Sequence, residues 1–428
     1  YDHFHFDSSL RRMQYHGDGR HFEDLYAAYA ARIPDFRAYL WFYSLNAQPP
    51  KEGWNAGREQ NRKLFTEAAE RFRGKKIIAF EMTSEPHNID PKWYVQHLAD
   101  ARKIFTEAGL RQPMIPPGGA PPSIPMISDI LKAGGDQYMD GISYHPYTVK
   151  PIEALNSDDS LNRLHAVMAE YPGRKFILWN TESGINALPR IKYRPMSAAD
   201  AHAARMPGRD GAFLGFITML EEREAAARQV QHALVCLAQG YRIYTICQSP
   251  NQNGDPSLRG LAMTVLAGQI LNRQTGVRRL PLARLDNVCL LISQADGSAT
   301  AAVFSRKEDR LLLRLKPDTE YRIMDMLGNV SRRKSDREGI LAIRSSSQPQ
   351  YLFSVPESIS EVTPLTMELP ASLPERGVLK GTVTIANPFR GGSLHGTLEA
   401  VPVRGAEIVL SEKRIELAPG ASGKVEIA

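Results

Sequence analysis

The chain has 428 residues, 53 of them basic and 47 acidic, giving a formal charge of +6, with 43% hydrophobic and 23% charged residues. That is the composition of a folded globular protein of two or three domains. No apolar run approaches the roughly 18 residues of a membrane helix and no basic run resembles a nucleic-acid arm, so neither partner is expected.

Three cysteines, Cys236, Cys247 and Cys289, lack any short paired spacing, which argues against a metal site or a disulfide framework. The sequence starts at Tyr1 without a signal-like apolar stretch. Any targeting segment is expected to have been removed, and a secreted or periplasmic protein is expected, with a cytoplasmic one as the alternative.

Along residues 1–275, short apolar runs alternate with segments of helical period, the pattern of parallel strands joined by helical crossovers. Strands are expected at 36–43, 76–82, 114–117, 139–144, 175–179 and 242–247. Helices are expected at 22–32, at 58–72, where Leu64, Phe65, Ala68, Ala69 and Phe72 share a stripe that Gly74 ends, and at 91–108. A strand should precede the first helix, and 3–6 is the candidate. This reading yields seven strands of a (β/α)8 barrel, a fold of about 250 residues, with an eighth missing or irregular at the N-terminus.

From residue 276 the texture changes to short apolar runs at 288–292, 301–304, 311–315 and 321–324, separated by turns such as Asp296-Gly297 and Gly328-Asn329. A β-sandwich is expected over 276–356 and a second, truncated sandwich-like module over 357–428, with runs at 381–386, 398–403 and 407–410. In the link at 275–282, the apolar Val277, Leu280 and Leu282 need a partner, which the barrel would supply.

The chemistry concentrates at three strand ends. Residues 76–88 read KIIAFEMTSEPHN, a buried strand delivering Glu85. Residues 175–185 read KFILWNTESGI, a second strand delivering Glu182. Between them, residues 139–148 read MDGISYHPYT and bring His145 and Tyr147 to a strand end. Barrel enzymes place catalysis at the carboxyl ends of their strands. Two carboxyl groups facing one cleft are what glycoside hydrolysis needs, one to protonate the leaving oxygen and one to attack the anomeric carbon.

These segments resemble the large clan of retaining (β/α)8 glycoside hydrolases that includes β-xylosidases, α-L-iduronidases, β-galactosidases and cellulases. The resemblance covers roughly residues 1–273. Residues 80–88 follow in outline the clan's Trp-Glu-Ile-Trp-Asn-Glu-Pro-Asn fourth strand, which implies that Glu85 is the acid/base. Residues 181–184 follow its Thr-Glu-Xaa-Gly seventh strand, which implies that Glu182 is the nucleophile. Ser84 stands where the clan usually carries an Asn that binds the sugar's 2-hydroxyl, and Thr83 where it carries Trp. No cofactor or metal is implied.

Trp41, Tyr43 and Trp179 are candidate sugar-stacking platforms, with barrel-core filling as the other reading of Trp41 and Trp179. Asn46 and Gln48 are candidate hydrogen-bonding groups, whereas Glu81 reads as a buried, paired structural residue. His3 and His5 lack a third ligand at a recognisable spacing. Arg190, Lys192, Arg194 and Arg205 form a local basic cluster that would suit an anionic sugar, although the net charge by itself selects no partner. The expected function is retaining hydrolysis of an oligo- or polysaccharide. The alternative is a catalytically impaired carbohydrate-binding barrel, suggested by Ser84 and the irregular N-terminus.

Overall fold

The computed structural model describes residues 4–5, 10–15, 20–42, 51–83, 89–116, 124–145, 151, 159–183, 190–191, 194–195, 221–246, 251–252, 255–272, 274–363, 365–368, 380–398 and 409–427. In chain order the first part contains β1 (Phe4–His5), β2 (Leu10–Tyr15), α1 (Arg20–Arg32), β3 (Arg37–Phe42), α2 (Trp54–Phe72), β4 (Ile77–Glu81), α3 (Pro91–Glu107) and β5 (Met114–Ile115). There follow α4 (Ile124–Lys132), β6 (Gly141–Ser143), α5 (Asp159–Ala169), β7 (Ile177–Ser183), the antiparallel pair β8 (Arg190–Ile191) and β9 (Arg194–Pro195), α6 (Glu222–Ala238) and β10 (Tyr241–Ile246). A second short pair, β11 (Asn251–Gln252) and β12 (Asp255–Pro256), leads to α7 (Leu258–Val265) and a π-helical turn at Leu266–Leu271. No helix among the described residues is long and apolar enough to cross a membrane.

The strands form two four-stranded sheets, β2-β3-β4-β5, all parallel, and β1-β10-β7-β6. The backbone N–H of Asp140, just before β6, donates to Met114 O in β5 at 2.9 Å, bridging the two sheet edges. Two expectations about the N-terminus need correction. The strand before α1 is β2, not 3–6, and β1 is present but runs antiparallel on β10.

Strand alternation sends two sets of side chains in opposite directions. Ala38, Leu40 and Phe42 of β3 and Phe80 of β4 join the helices in a large outer core, while Tyr39, Ala79, Ile115 and Trp179 make an inner cluster. Tyr39 and Trp179 come from different sheets and meet edge to face, with ring centroids 5.4 Å apart, so the two sheets pack on each other through this cluster. The outer core is rich in aromatic edge contacts, such as Tyr15 on Phe72 at 5.2 Å. Gly141 opens β6 where nothing larger fits: a Cβ there would lie 2.4 Å from Ile177 O. Gly74 follows α2 with φ +76°, the left-handed stop expected.

Beyond residue 273, β13 (Gln274–Arg279), β14 (Asn287–Gln294), β15 (Ala299–Ser305), β16 (Asp309–Arg314), β17 (Glu320–Asp325), β18 (Val330–Lys334), β19 (Ile340–Ser345), β20 (Gln350–Val355) and β21 (Ser360–Glu361) follow. They build a six-stranded sheet, β13-β14-β15-β20-β17-β18, and a three-stranded one, β19-β16-β21. Leu291, Val303 and Ile323 of the larger sheet pack with Leu311, Leu313, Leu341 and Ile343 of the smaller. The other face of the larger sheet, through Val288, Leu290, Phe304 and Tyr351, belongs to the outer core that α6 and α7 share.

The link resolves differently from expectation. Val277 packs on that outer core, but Leu280 joins the core between the two later sheets and Leu282 packs against it. The reason is that Gln274–Arg279 is itself a sheet strand, paired with β14, so the link belongs to the later sheets. Finally β22 (Leu365–Glu368), β23 (Gly381–Ala386) and β26 (Ser422–Ile427) form a three-stranded sheet beside the hairpin of β24 (Leu394–Thr397) and β25 (Arg414–Leu417). The expected runs 398–403 and 407–410 lie largely outside the described residues.

Candidate active site

Glu81 ends β4 on the inward side and is fully buried. The chain then turns at Thr83, which adopts φ +72°, a left-handed conformation that a β-branched residue rarely takes and that costs about 1–3 kcal/mol. Its neighbours hold it there. Met82 N–H donates to Ile115 O at 3.3 Å, and the Tyr94 hydroxyl donates to Met82 O. Burial pushes the Tyr94 phenol well up, and the Glu81 charge adds to the effect. On the far side of the segment, Asp90 caps α3 by accepting from Trp93 N at 2.9 Å, with Pro91 in the first helical turn. Met82 and Asp90, on either side of residues 84–88, are thus held in place, and Ser84 and Glu85 lie outside the described residues.

At the end of β7 the register with β10 breaks. Tyr244 pairs with Asn180 and Ile246 with Ser183, so two steps on β10 match three on β7. This is a register irregularity at Thr181 and Glu182, the second in this strand pair after one between Tyr241 and Ile243. Glu182 is half-buried.

Around Thr181, next to Glu182 in β7, lies a buried polar layer drawn from three strands. The Thr181 hydroxyl donates to Glu81 Oε1 at 2.7 Å and lies 2.9 Å from His145 Nε2, with Ser143 Oγ also within hydrogen-bond distance. Because Thr181 has one proton and spends it on Glu81, the His145 contact requires Nε2–H to be the donor, which fixes that ring nitrogen as protonated. Glu81, Ser143, His145 and Thr181 are all fully buried. On the outward side, Asn180 Nδ2 reaches Cys236 Sγ at 3.9 Å, tying the strand to α6.

The candidate residues thus divide. Glu182 and His145 come together at the carboxyl end of β7 and β6, with Glu81 as the buried, paired residue expected. Trp179 does not form a surface platform: it is buried in the inner cluster against Tyr39, where strand alternation puts it. Trp41 is half-buried and pairs in register with Glu81. Tyr43, Asn46, Gln48, Ser84, Glu85 and Tyr147 lie outside the described residues, as do Lys192 and Arg205 of the basic cluster. Sequence reasoning missed the hydroxyls of Thr181 and Ser143 and the phenol of Tyr94. The only sequence signal was their inward strand parity or helix-stripe position.

No protein-family profile matches the chain, and no curated protein sequence does either. Solved structures do. The catalytic domain of GH30 xylanase C from Talaromyces cellulolyticus is similar over 81% of this chain and 87% of its own, at 11% identity and a TM-score of 0.51. The endo-β1,6-glucanase BT3312 covers 82% and 83% at 12% identity and a TM-score of 0.49. A GH39 β-xylosidase from Caulobacter crescentus covers 81% and 89% at 10% identity and a TM-score of 0.48. The likeness to the xylanase domain is one of fold: the chain has the fold of a glycoside hydrolase catalytic domain.

Proposed function

We propose that the protein is a retaining glycoside hydrolase in which the two four-stranded sheets close into a (β/α)8 barrel. The observation that supports this reading is a half-buried Glu182 at the carboxyl end of β7, between the parallel neighbours β6 and β10 and next to Thr181, which a buried polar layer holds. The segment bearing Glu85 leaves β4 at the same end.

In the proposed reaction the Glu182 carboxylate attacks the anomeric carbon while Glu85 gives its proton to the departing glycosidic oxygen, leaving a glycosyl ester on Glu182. Glu85 then takes a proton from water, and the resulting hydroxide attacks the same carbon and releases Glu182. Two inversions at one carbon retain its configuration. This requires the two carboxyl groups to stand about 5 to 5.5 Å apart. His145 acts on Glu182 through Thr181, holding the end of β7 in place. The reaction as written needs no cofactor.

The sheets after residue 273 are read as a structural sandwich that extends to about residue 363, because β21 pairs with β16, followed by a second β-module; neither contributes catalytic groups. We further propose a carbohydrate polymer as substrate, and secretion or periplasmic export to reach it. The test is a screen of aryl glycosides and soluble polysaccharides with wild type and Glu182→Gln side by side. Hydrolysis that is lost in the variant supports the assignment; hydrolysis that survives the substitution sinks it.

A further inference from the structure

Helix α2 begins at Trp54, after the segment that leaves the carboxyl end of β3. In a strand-helix repeat, helix starts stand at the end of the sheet that carries the strand-end carboxylates. Trp54 extends upward the stripe of Gly57, Asn61, Phe65, Ala68 and Phe72, all buried against the sheet and α3. Trp54 itself remains 39% exposed, and among the Phe, Tyr and Trp residues whose burial is described it alone is exposed rather than buried or half-buried.

What lies behind the ring is rigid and already satisfied. Trp54 packs edge to face on Trp93, ring centroids 4.7 Å apart, and Trp93 is fully buried. Trp93 packs in turn on His97 at 4.2 Å, and Asn61 Nδ2 reaches His97 Nε2 at 2.9 Å. One turn along α2, Arg58 grips Asp100 through two hydrogen bonds of 2.7 and 2.9 Å. Asn61 and His97, and Arg58 and Asp100, are therefore paired with one another, and Trp54 offers aromatic surface outward. This shelf joins the starts of two successive helices, since Trp93 sits in the first turn of α3 as Trp54 does in that of α2.

We propose that Trp54 is a stacking platform for a sugar unit of the bound polysaccharide, one or more units away from the cleaved bond. The apolar C–H face of a pyranose covers indole surface that would otherwise stay in water, and a ring braced by Trp93 loses little freedom on binding. A neutral sugar face suits it better than a charged group. This proposal rests on the glycosidase reading, and its test separates the two.

Native electrophoresis through gels containing arabinoxylan, mixed-linkage β-glucan or polygalacturonate measures binding without turnover. Wild type and Glu182→Gln should be retarded by at least one polymer, with Trp54→Ala losing most of the retardation and Trp54→Phe, which keeps a ring against Trp93, falling between. Among substrates that wild type cleaves, kcat/KM for a hexasaccharide should fall about tenfold in Trp54→Ala, with the corresponding aryl monosaccharide glycoside unaffected. Retardation of Trp54→Ala equal to wild type in every gel, absence of retardation of wild type in all of them, or equal losses on the long and short substrates would overturn the platform. Hydrolysis surviving in Glu182→Gln would instead overturn the catalytic reading and leave the retardation comparison standing.

Discussion

Replacing Thr181 by valine keeps the side chain's shape and deletes its hydroxyl. In the buried layer next to Glu182, that hydroxyl is a donor to Glu81 Oε1 at 2.7 Å and the acceptor for His145 Nε2 at 2.9 Å. A hydrogen bond to a charged group contributes about 1.5–3 kcal/mol, and stripping a buried donor of one acceptor adds about 1, so Thr181→Val should lose about 3 kcal/mol. Thr181→Ser keeps both bonds, removes one methyl and should lose about 1 kcal/mol. Urea unfolding followed by tryptophan fluorescence measures both, and an unchanged m-value shows that stability alone has moved. A valine variant within about 0.5 kcal/mol of the serine variant would refute the claim that this layer holds the strand end.

Three further outcomes are expected. Burial first, and the Arg58 charge second, push the His97 imidazole down to about 4, with Asp100 opposing. The unfolded chain then takes up its proton first, from about pH 6.5 downward, so stability is lost between there and pH 4, about 2 kcal/mol of it by pH 5; His97→Gln should flatten a urea-midpoint profile over that range. Ile359 and Val362 are buried and Ser360–Glu361 pairs with β16, so truncation after residue 356 should cost about 4 kcal/mol. Truncation after residue 363 should leave thermal unfolding of the remainder unchanged, and equal melting points for the two would contradict this boundary. Burial pushes the Cys236 and Cys289 thiols up to about 12; in a Cys247→Ser background, a disulfide reagent at pH 8 should label neither until the protein is unfolded in urea.

Much of the fold was legible because the segments that build it are strongly patterned. Strands β3, β4, β6, β7 and β10 and helices α1 to α3 fall where apolar runs and helical stripes put them, within a few residues. Strand β2 was hidden because Arg11, Arg12 and Gln14 leave only Leu10, Met13 and Tyr15 as apolar signal, so the apolar 3–6 drew the assignment instead. Helix α6 was obscured for the opposite reason: Glu222, Gln229, Gln231 and His232 are buried, where polarity suggests a surface. At the site, the strand-end positions of Glu182 and His145 could be read from the residues, but the register shift beside Glu182 could not. It exists only as a mismatch between β7 and β10, which are more than fifty residues apart in sequence. The choice between the two readings of Trp179 was hidden for the same reason, since its inward burial depends on Tyr39 arriving from the other sheet.

The central claim, that Glu182 is the nucleophile, is tested most directly by azide rescue. With an activated aryl glycoside that wild type cleaves, Glu182→Gly should be inactive alone and regain turnover in azide, giving a glycosyl azide of anomeric configuration opposite to the substrate, because azide occupies the space of the missing carboxylate and attacks once. A rescued product of retained configuration would contradict the account and assign Glu182 the acid/base role.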